Sequence, residues 1–248
     1  IQEDAIHPRP SGRGILACLR KKSKNMMIRY CLICIVLFGF WHNTCLCAAS
    51  DAPSISEILE RVGQRYGAAD FEADFVQESH LKAMGIVDVA KGHVYFRRPA
   101  MMRWHYKMPE EYLIITDGQT VWIYRPEENQ VMLGRAADYF GSTKGADLFS
   151  DPTRLLDDFV VRLAPEEFQE KDRYVLRLLP KMEQSNLAEL FLSISKSTFD
   201  IVQSVSHNAF GDKTSLLFAG FKFDQGLDLS LFVFEIPNDA DVVPLEAQ

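Results

Sequence analysis

The chain has 248 residues, 47% of them hydrophobic and 25% charged, with a formal net charge of −7 at neutral pH. All five cysteines (Cys18, Cys31, Cys34, Cys45, Cys47) and 7 of the 27 Lys and Arg precede position 51, so the remainder is cysteine-free, with 20 basic against 32 acidic side chains, a net charge of −12. That balance argues against binding nucleic acid or anionic membrane surfaces, which need clustered Lys and Arg, and leaves about 198 residues to be held by their core rather than by disulfides.

Arg29 precedes an unbroken apolar run from Cys31 to Trp41, too short to cross a bilayer comfortably but suited to the apolar region of an export signal. Small residues at Cys47, Ala48, Ala49 and Ser50 fit cleavage after Ala49 or Ser50. Residues 26–49, opening at Met26 or Met27, are therefore read as a signal peptide, residues 1–25 are set aside as upstream sequence, and residues 50–248 are expected to form one domain. An uncleaved apolar run kept as an N-terminal anchor is the alternative. Lipid attachment at Cys45 or Cys47 lacks the required pattern, because His42-Asn43-Thr44 and Thr44-Cys45-Leu46 do not supply a small residue preceded by an aliphatic one.

Past Pro53 and Ser54, the residues Ile55, Ile58, Leu59, Val62 and Tyr66 form one helical stripe that ends near Gly67, with Ser54 and Glu57 spaced as a capping box. From Phe71 the period changes to two: Phe71, Ala73, Phe75 and Gln77 share a side. After a turn near Gly85 a second long strand runs from Ile86 to Phe96, with a bend or bulge at Gly92. Beyond Pro99, Met102, Trp104, Tyr106 and Met108 alternate with Arg103, His105 and Lys107 as far as Pro109. Strands at Tyr112–Thr116 and Gln119–Tyr124 flank Asp117-Gly118, the signal of a two-residue hairpin, which would pair Ile114 with Val121 and Tyr112 with Ile123. Between Arg97 and Tyr124 both strand faces are rich in apolar side chains. One such face builds a core; a second needs a partner or a ligand.

A strand at Gln130–Leu133 is followed by an irregular stretch to Ser150 that contains Leu148 and Phe149. Asp151-Pro152 reads as the cap and first residue of a short helix carrying Leu155, Leu156 and Phe159. Further strands are expected at about 159–164, 173–179, 187–195, 199–207, 213–223 and 229–236, giving about eleven strands and two or three helices. Short turns between sequential strands favour an antiparallel meander, and a sheet of that length must twist and curl. The expected fold class is mainly β (α+β): a strongly curved, partly closed antiparallel sheet with its few helices on the concave side.

Catalytic chemistry finds little support. His80, His93, His105 and His207 include no pair at helical metal-ligand spacing, no serine elbow is present, and no thiol remains beyond position 50. The carboxylate pairs Glu110-Glu111, Glu127-Glu128, Asp157-Asp158 and Glu166-Glu167 fall beside turns or on a helix, where acids are solvated, and do not converge on one face. The chain is read as a non-enzyme without metal or cofactor.

Taken together, the strand Phe75-Val76-Gln77, Gly85, Gly92, Arg98-Pro99, Arg103-Trp104-x-Tyr106, Pro109, Asp117-Gly118 and the run Val121 to Tyr124 resemble, in order and spacing, the outer-membrane lipoprotein carrier family, LolA. The likeness is densest from 71 to 133 and thins toward Pro237. It implies a periplasmic monomer with an unclosed β-barrel and a helical lid. Such a protein takes lipoproteins by their acyl chains from an inner-membrane ABC transporter and passes them to an outer-membrane acceptor. On that likeness Arg98 is expected to latch the lid through its backbone carbonyls, with Met102, where the family usually has phenylalanine, and Ile114 in an acyl-chain cavity. Strand parity adds Trp104, Tyr106, Val121 and Ile123 to the cavity, and Leu148, Phe149, Leu155, Leu156 and Phe159 are the candidate lid residues. A different exported lipid-binding or envelope-sensing half-barrel is the rival reading.

Overall fold

The computed structural model of the chain describes residues 53–67, 70–140, 152–183 and 186–245. The expected signal peptide at 26–49, the upstream segment, and Leu148, Phe149 and Asp151 lie outside these residues. The first element is helix α1, Ile55–Gly67. Its capping box forms as the spacing predicts: the Ser54 N–H donates to Glu57 Oε2 at 2.6 Å and the Glu57 N–H donates to Ser54 Oγ at 3.2 Å. Its apolar stripe, Ile58, Leu59, Val62 and Tyr66, is at most 1% exposed.

Six strands follow: β1 (Phe71–Leu81), β2 (Ile86–Arg97), β3 (Met101–Met108), β4 (Tyr112–Thr116), β5 (Thr120–Arg125) and β6 (Gln130–Arg135). Helix α2 (Ala136–Phe140) occupies part of the stretch expected to be irregular. A 3-10 turn at Pro152–Arg154 leads into α3 (Leu155–Asp158), then β7 (Phe159–Leu163), β8 (Arg173–Pro180), β9 (Glu189–Ser195), β10 (Ile201–His207), β11 (Lys213–Phe223) and β12 (Asp241–Pro244). They form one twelve-stranded sheet in the order β12-β6-β5-β4-β3-β2-β1-β11-β10-β9-β8-β7, which does not close. Two antiparallel meanders thus meet where β1 pairs with β11, and the chain leaving β6 reaches the opposite end of the sheet before β7 begins.

The last part of the chain departs from expectation. Leu229–Phe232 is a 3-10 turn rather than the start of a strand, capped by the Asp228 carboxylate, which accepts from the Ser230 N–H at 2.8 Å. The terminal strand lies later, at Asp241–Pro244, and pairs in parallel with β6, so the sheet is not a pure antiparallel meander. Four residues are too few to register as a period, whereas the alternating apolar residues of 229–236 resemble a strand without belonging to a ladder.

The hairpin at Asp117-Gly118 is wider than a two-residue turn. Asp117 Oδ1 accepts from the N–H groups of Gln119 and Thr120 at 2.8 and 2.7 Å, and the pairs become Thr116 with Val121 and Ile114 with Ile123. The register therefore moves by two residues from the expected one, which leaves every side chain on its expected face because the pleat repeats every two. Gly92 does sit at a bulge, the β2–β3 register shifting between Lys91 and Gly92. A Cβ there would stand 2.1 Å from the His105 carbonyl oxygen and 2.7 Å from the Phe75 ring.

One face of the sheet, here the inner face, packs on α1. A single buried cluster joins Ile58, Leu59, Val62 and Tyr66 to Phe96 on β2, Met102 on β3, Phe218 on β11 and Leu176 and Leu178 on β8. From β3 to β8 there are seven strands, which laid flat at about 4.8 Å spacing would span roughly 30 Å. A helix with its side chains is only about 10–12 Å across, so the sheet must wrap around α1 for both margins to reach it.

Candidate functional site

Strand register assigns the inner face residue by residue. Phe71, Ala73, Phe75 and Gln77 of β1 are cross-strand neighbours of Phe96, Val94, Gly92 and Ala90 of β2. Met102, Trp104 and Tyr106 of β3 stand opposite Thr116, Ile114 and Tyr112 of β4, and Thr116 and Ile114 in turn oppose Val121 and Ile123 of β5. The six residues expected to line a cavity, Met102, Trp104, Tyr106, Ile114, Val121 and Ile123, therefore share one face. Met102 is 2% exposed and Tyr106 6%, and both belong to the cluster around α1, against which Trp104 and Ile114 pack while partly exposed. Val121 and Ile123 are buried outside that cluster, on the strand beside α2.

The expected lid residues divide. Leu155 and Phe159 are buried in the same cluster as Met102 and Tyr106, whereas Leu156 is 38% exposed and does not join it. Arg98 is exposed in the turn between β2 and β3, beside the cis peptide that precedes Pro99.

Aromatic rings dominate the inner face near α1. Phe71 lies 5.2 Å from Tyr66, 5.3 Å from Phe96 and 5.5 Å from Phe223, and Phe75 meets the rings of Trp104 at 5.0 Å and Tyr106 at 4.8 Å, both edge-on. Gly92 makes the last contacts feasible, since the Phe75 ring occupies the space a side chain there would take. The Tyr66 hydroxyl accepts from the Ile201 N–H at 2.9 Å, and burial pushes its ionisation far up, so it stays neutral. At the margin of this cluster, beside Tyr66, the buried Asp200 carboxylate accepts from Arg65 at 2.7 Å.

Further along the same face the chemistry turns polar. The Tyr106 hydroxyl donates to Gln77 Oε1 at 2.9 Å, the Gln77 amide donates to Ser79 Oγ at 3.2 Å, and the ring of Tyr112 stacks on Tyr106 at 4.1 Å and 10°. Burial raises the pKa of both phenols, with nearby Tyr139 on α2 raising each further, and burial raises Tyr139 as well. All three stay protonated at neutral pH and able to donate. The cavity residues expected from sequence did not include Gln77, Tyr112 or Tyr139. Tyr112 shares its parity with Ile114 and was legible by that rule, but Tyr139 comes from a helix with no sequence signal.

The outer face of β3–β6 is covered by the chain itself. Register places Arg103, Ile115 and Trp122 there, and Ile115 is fully buried, as is Val131. The Arg103 guanidinium donates to the Leu231 carbonyl at 3.2 Å, Arg97 donates to the Leu227 carbonyl, and the rings of Tyr124 and Phe234 lie 5.2 Å apart. Burial pushes the Arg103 pKa down. Asp70 anchors the start of this covering segment, its carboxylate accepting from the N–H groups of Gln225 and Leu227 at 2.9 and 2.6 Å. The partner required by the second apolar face is thus the stretch from Leu227 to Phe234.

Among the described residues, histidines take no part in the inner face. His93 meets Asp74 at 2.8 Å and Glu72 at 3.7 Å, and His105 meets Glu111 at 2.8 Å, all on the outer face by register. Among the described residues no group of three or more His, Cys, Asp or Glu is placed to hold a metal ion.

Among the described residues, an open, mainly antiparallel sheet packed on α1 through an aromatic inner face defines a half-barrel class of fold. Residues 67–235 match the family model described as outer membrane lipoprotein carrier protein LolA, and the chain belongs to that family. Its members are carriers, and the protein is not an enzyme. Similar proteins include the outer-membrane lipoprotein carrier protein of Hahella chejuensis, 27% identical over 79% of this chain and 88% of the relative. The carrier of Nitrosomonas europaea is 30% identical over 71% of this chain and 83% of its own length. Among solved structures, an uncharacterized conserved protein from Thermus thermophilus shares the fold at a TM-score of 0.53 and 18% identity, over 78% of this chain and all of the other.

Proposed function

We propose that the protein is a periplasmic carrier that encloses the acyl chains of lipoproteins against its inner face, taking them from an inner-membrane ABC transporter and delivering them to an outer-membrane acceptor. It works as a monomer without a cofactor. The observation that carries this reading is the family match across residues 67–235. Supporting it is a sheet whose inner face gathers Met102, Trp104, Tyr106 and Ile114, together with Phe159 of β7, around helix α1 and Leu155 of α3.

Energetics set what such a carrier must do. Each methylene removed from water is worth about 0.8 kcal/mol, so sheltering a dozen supplies about 10 kcal/mol. Cargo bound that tightly leaves only if the empty protein regains most of that energy by closing on itself. Met102, Tyr106, Leu155 and Phe159, each at most 6% exposed, supply such a self-satisfied closed state. Arg98, at the mouth of the β2–β3 turn, is assigned as the latch whose planar set of donors suits backbone carbonyls of the lid.

The test incubates the purified protein with lipoprotein-loaded spheroplasts and assays lipoprotein in the soluble fraction. Release that depends on added protein is expected. No release in the presence of a working transporter would overturn the carrier reading.

A further inference from the structure

The inner face turns from apolar to polar toward the same end of the sheet on β1, β11 and β3–β4, with the change staggered by register: Tyr106 is level with Phe75 through Gly92, Gln77 with Leu216, and Thr214 with Ser79. Along β1 it reads Phe71, Ala73, Phe75 and then Gln77 and Ser79; along β11, Phe218 and Leu216 and then Thr214; across β3 and β4, Met102 and Trp104 with Ile114 and then the Tyr106–Tyr112 pair. A face that served only as core would have no use for two phenols and an amide there, since each buried polar group costs free energy unless it is hydrogen-bonded. At this end they satisfy one another: Tyr106 donates to Gln77 at 2.9 Å, and Tyr112 stacks on Tyr106 while remaining half-buried. Gln77 keeps a second amide N–H beyond the one it gives Ser79, and phenolic hydroxyls rotate freely, so the group can redirect donors toward an incoming acceptor.

We infer that Gln77, Tyr106 and Tyr112 form the seat for the ester carbonyls of a diacylglyceryl head, holding a ligand by its head while its chains run along the apolar face toward Phe71. This rests on the lipid-carrier reading above and adds which part of the ligand is recognised. Length agrees with it. From Gln77 to Phe71 the strand rises six residues, about 20 Å at roughly 3.3 Å each, and one leaflet of bilayer hydrocarbon is about 15 Å thick. Polarity agrees as well. The seat's own donors are neutral, which fits a carbonyl acceptor, and the Arg125 guanidinium lies at its edge, 5.9 Å from the Tyr112 ring. Once bound chains exclude water from the seat, a carbonyl left unpaired is penalised, so the seat favours esters over chains that lack them.

The test titrates the protein with a synthetic lipopeptide carrying an S-diacylglyceryl cysteine and with its dialkyl ether analogue, which keeps the chains and lacks the carbonyls. The wild-type protein is expected to bind the ester about tenfold more tightly, the factor that one or two hydrogen bonds supply. Tyr112→Phe and Gln77→Leu should each bring that ratio close to one, Tyr112→Phe keeping the ring and its stacking so that folding is preserved. A phosphatidylethanolamine with the same chains, and its ether form, run alongside identify the source of the head: whichever ester shows the drop in Tyr112→Phe is the one the seat receives. A wild-type ratio near one, or a ratio that both variants leave at the wild-type value, would overturn the inference while leaving the carrier reading in place. Failure of the wild-type protein to bind any of the four lipids would overturn both.

Discussion

Gly92 shows how one residue shapes the inner face. Its backbone lies against the His105 carbonyl and under the Phe75 ring, and through Phe75 it sets where Trp104 and Tyr106 stand. Gly92→Ala would force a Cβ to within 2.1 Å of that carbonyl, so it should destabilise the protein by about 1–3 kcal/mol or more, seen as a lower urea midpoint with an unchanged m-value. A glycine inside a strand was legible as a bulge, but its role under an aromatic ring was not. That role depends on residues that are 17 positions away in β1 and on the facing strand. Met102 illustrates a different limit. Its parity was readable from alternation, yet its 2% exposure comes from its place in a cluster that also draws on α1, β8 and β11, which sequence spacing cannot bring together.

Local elements followed their chemistry closely. Helix α1 starts where Ser54 and Glu57 reciprocate, and Ser54→Ala should cost about 1 kcal/mol, measured as a fall in thermal midpoint. The hydrogen bond that Glu57 accepts from the Ser54 N–H lowers its pKa in the folded state. A carboxylate depressed in this way contributes stability that is present at neutral pH and is lost as pH falls through the folded value. The stability difference between the wild type and Glu57→Gln should accordingly shrink as pH drops below the ordinary glutamate range, about 4.3, and a difference that grows on acidification would refute the assignment. The segment 229–236 was misread because its alternating apolar residues serve a cover rather than a ladder. Phe232, fully buried, is the test of that cover: Phe232→Ala should cost about 3–5 kcal/mol and open the outer face of β3 and β4 to a hydrophobic dye.

For the molecule as a whole, carriage requires that the inner face open and close again. Beyond position 50, tryptophan occurs at Trp104 on the inner face and Trp122 on the outer, which separates the two surfaces optically. In Trp122→Phe the emission of Trp104 should shift to the blue when a diacylated lipopeptide is added, whereas Trp104→Phe should report no shift. A response confined to Trp122 would place the ligand on the wrong face. Arg98→Leu should leave cargo retained rather than delivered in the spheroplast assay, and normal delivery by that variant would remove the latch assignment.

Sequence alone determined the parity of the strands, the capped helix α1, the acidic, cysteine-free character of residues 51–248 and the family resemblance, because each is carried by composition, by neighbours within a few residues or by an ordered set of motifs. It also established that the span from Arg97 to Tyr124 has two apolar faces. Only the tertiary structure decided what meets them: α1 and Leu155 on the inner face, and the chain from Leu227 to Phe234 on the outer. The physical reason is range. Parity repeats every two residues along one strand, whereas the partner of each face lies tens to more than a hundred positions away and is chosen by the packing of the whole sheet, which no local period records.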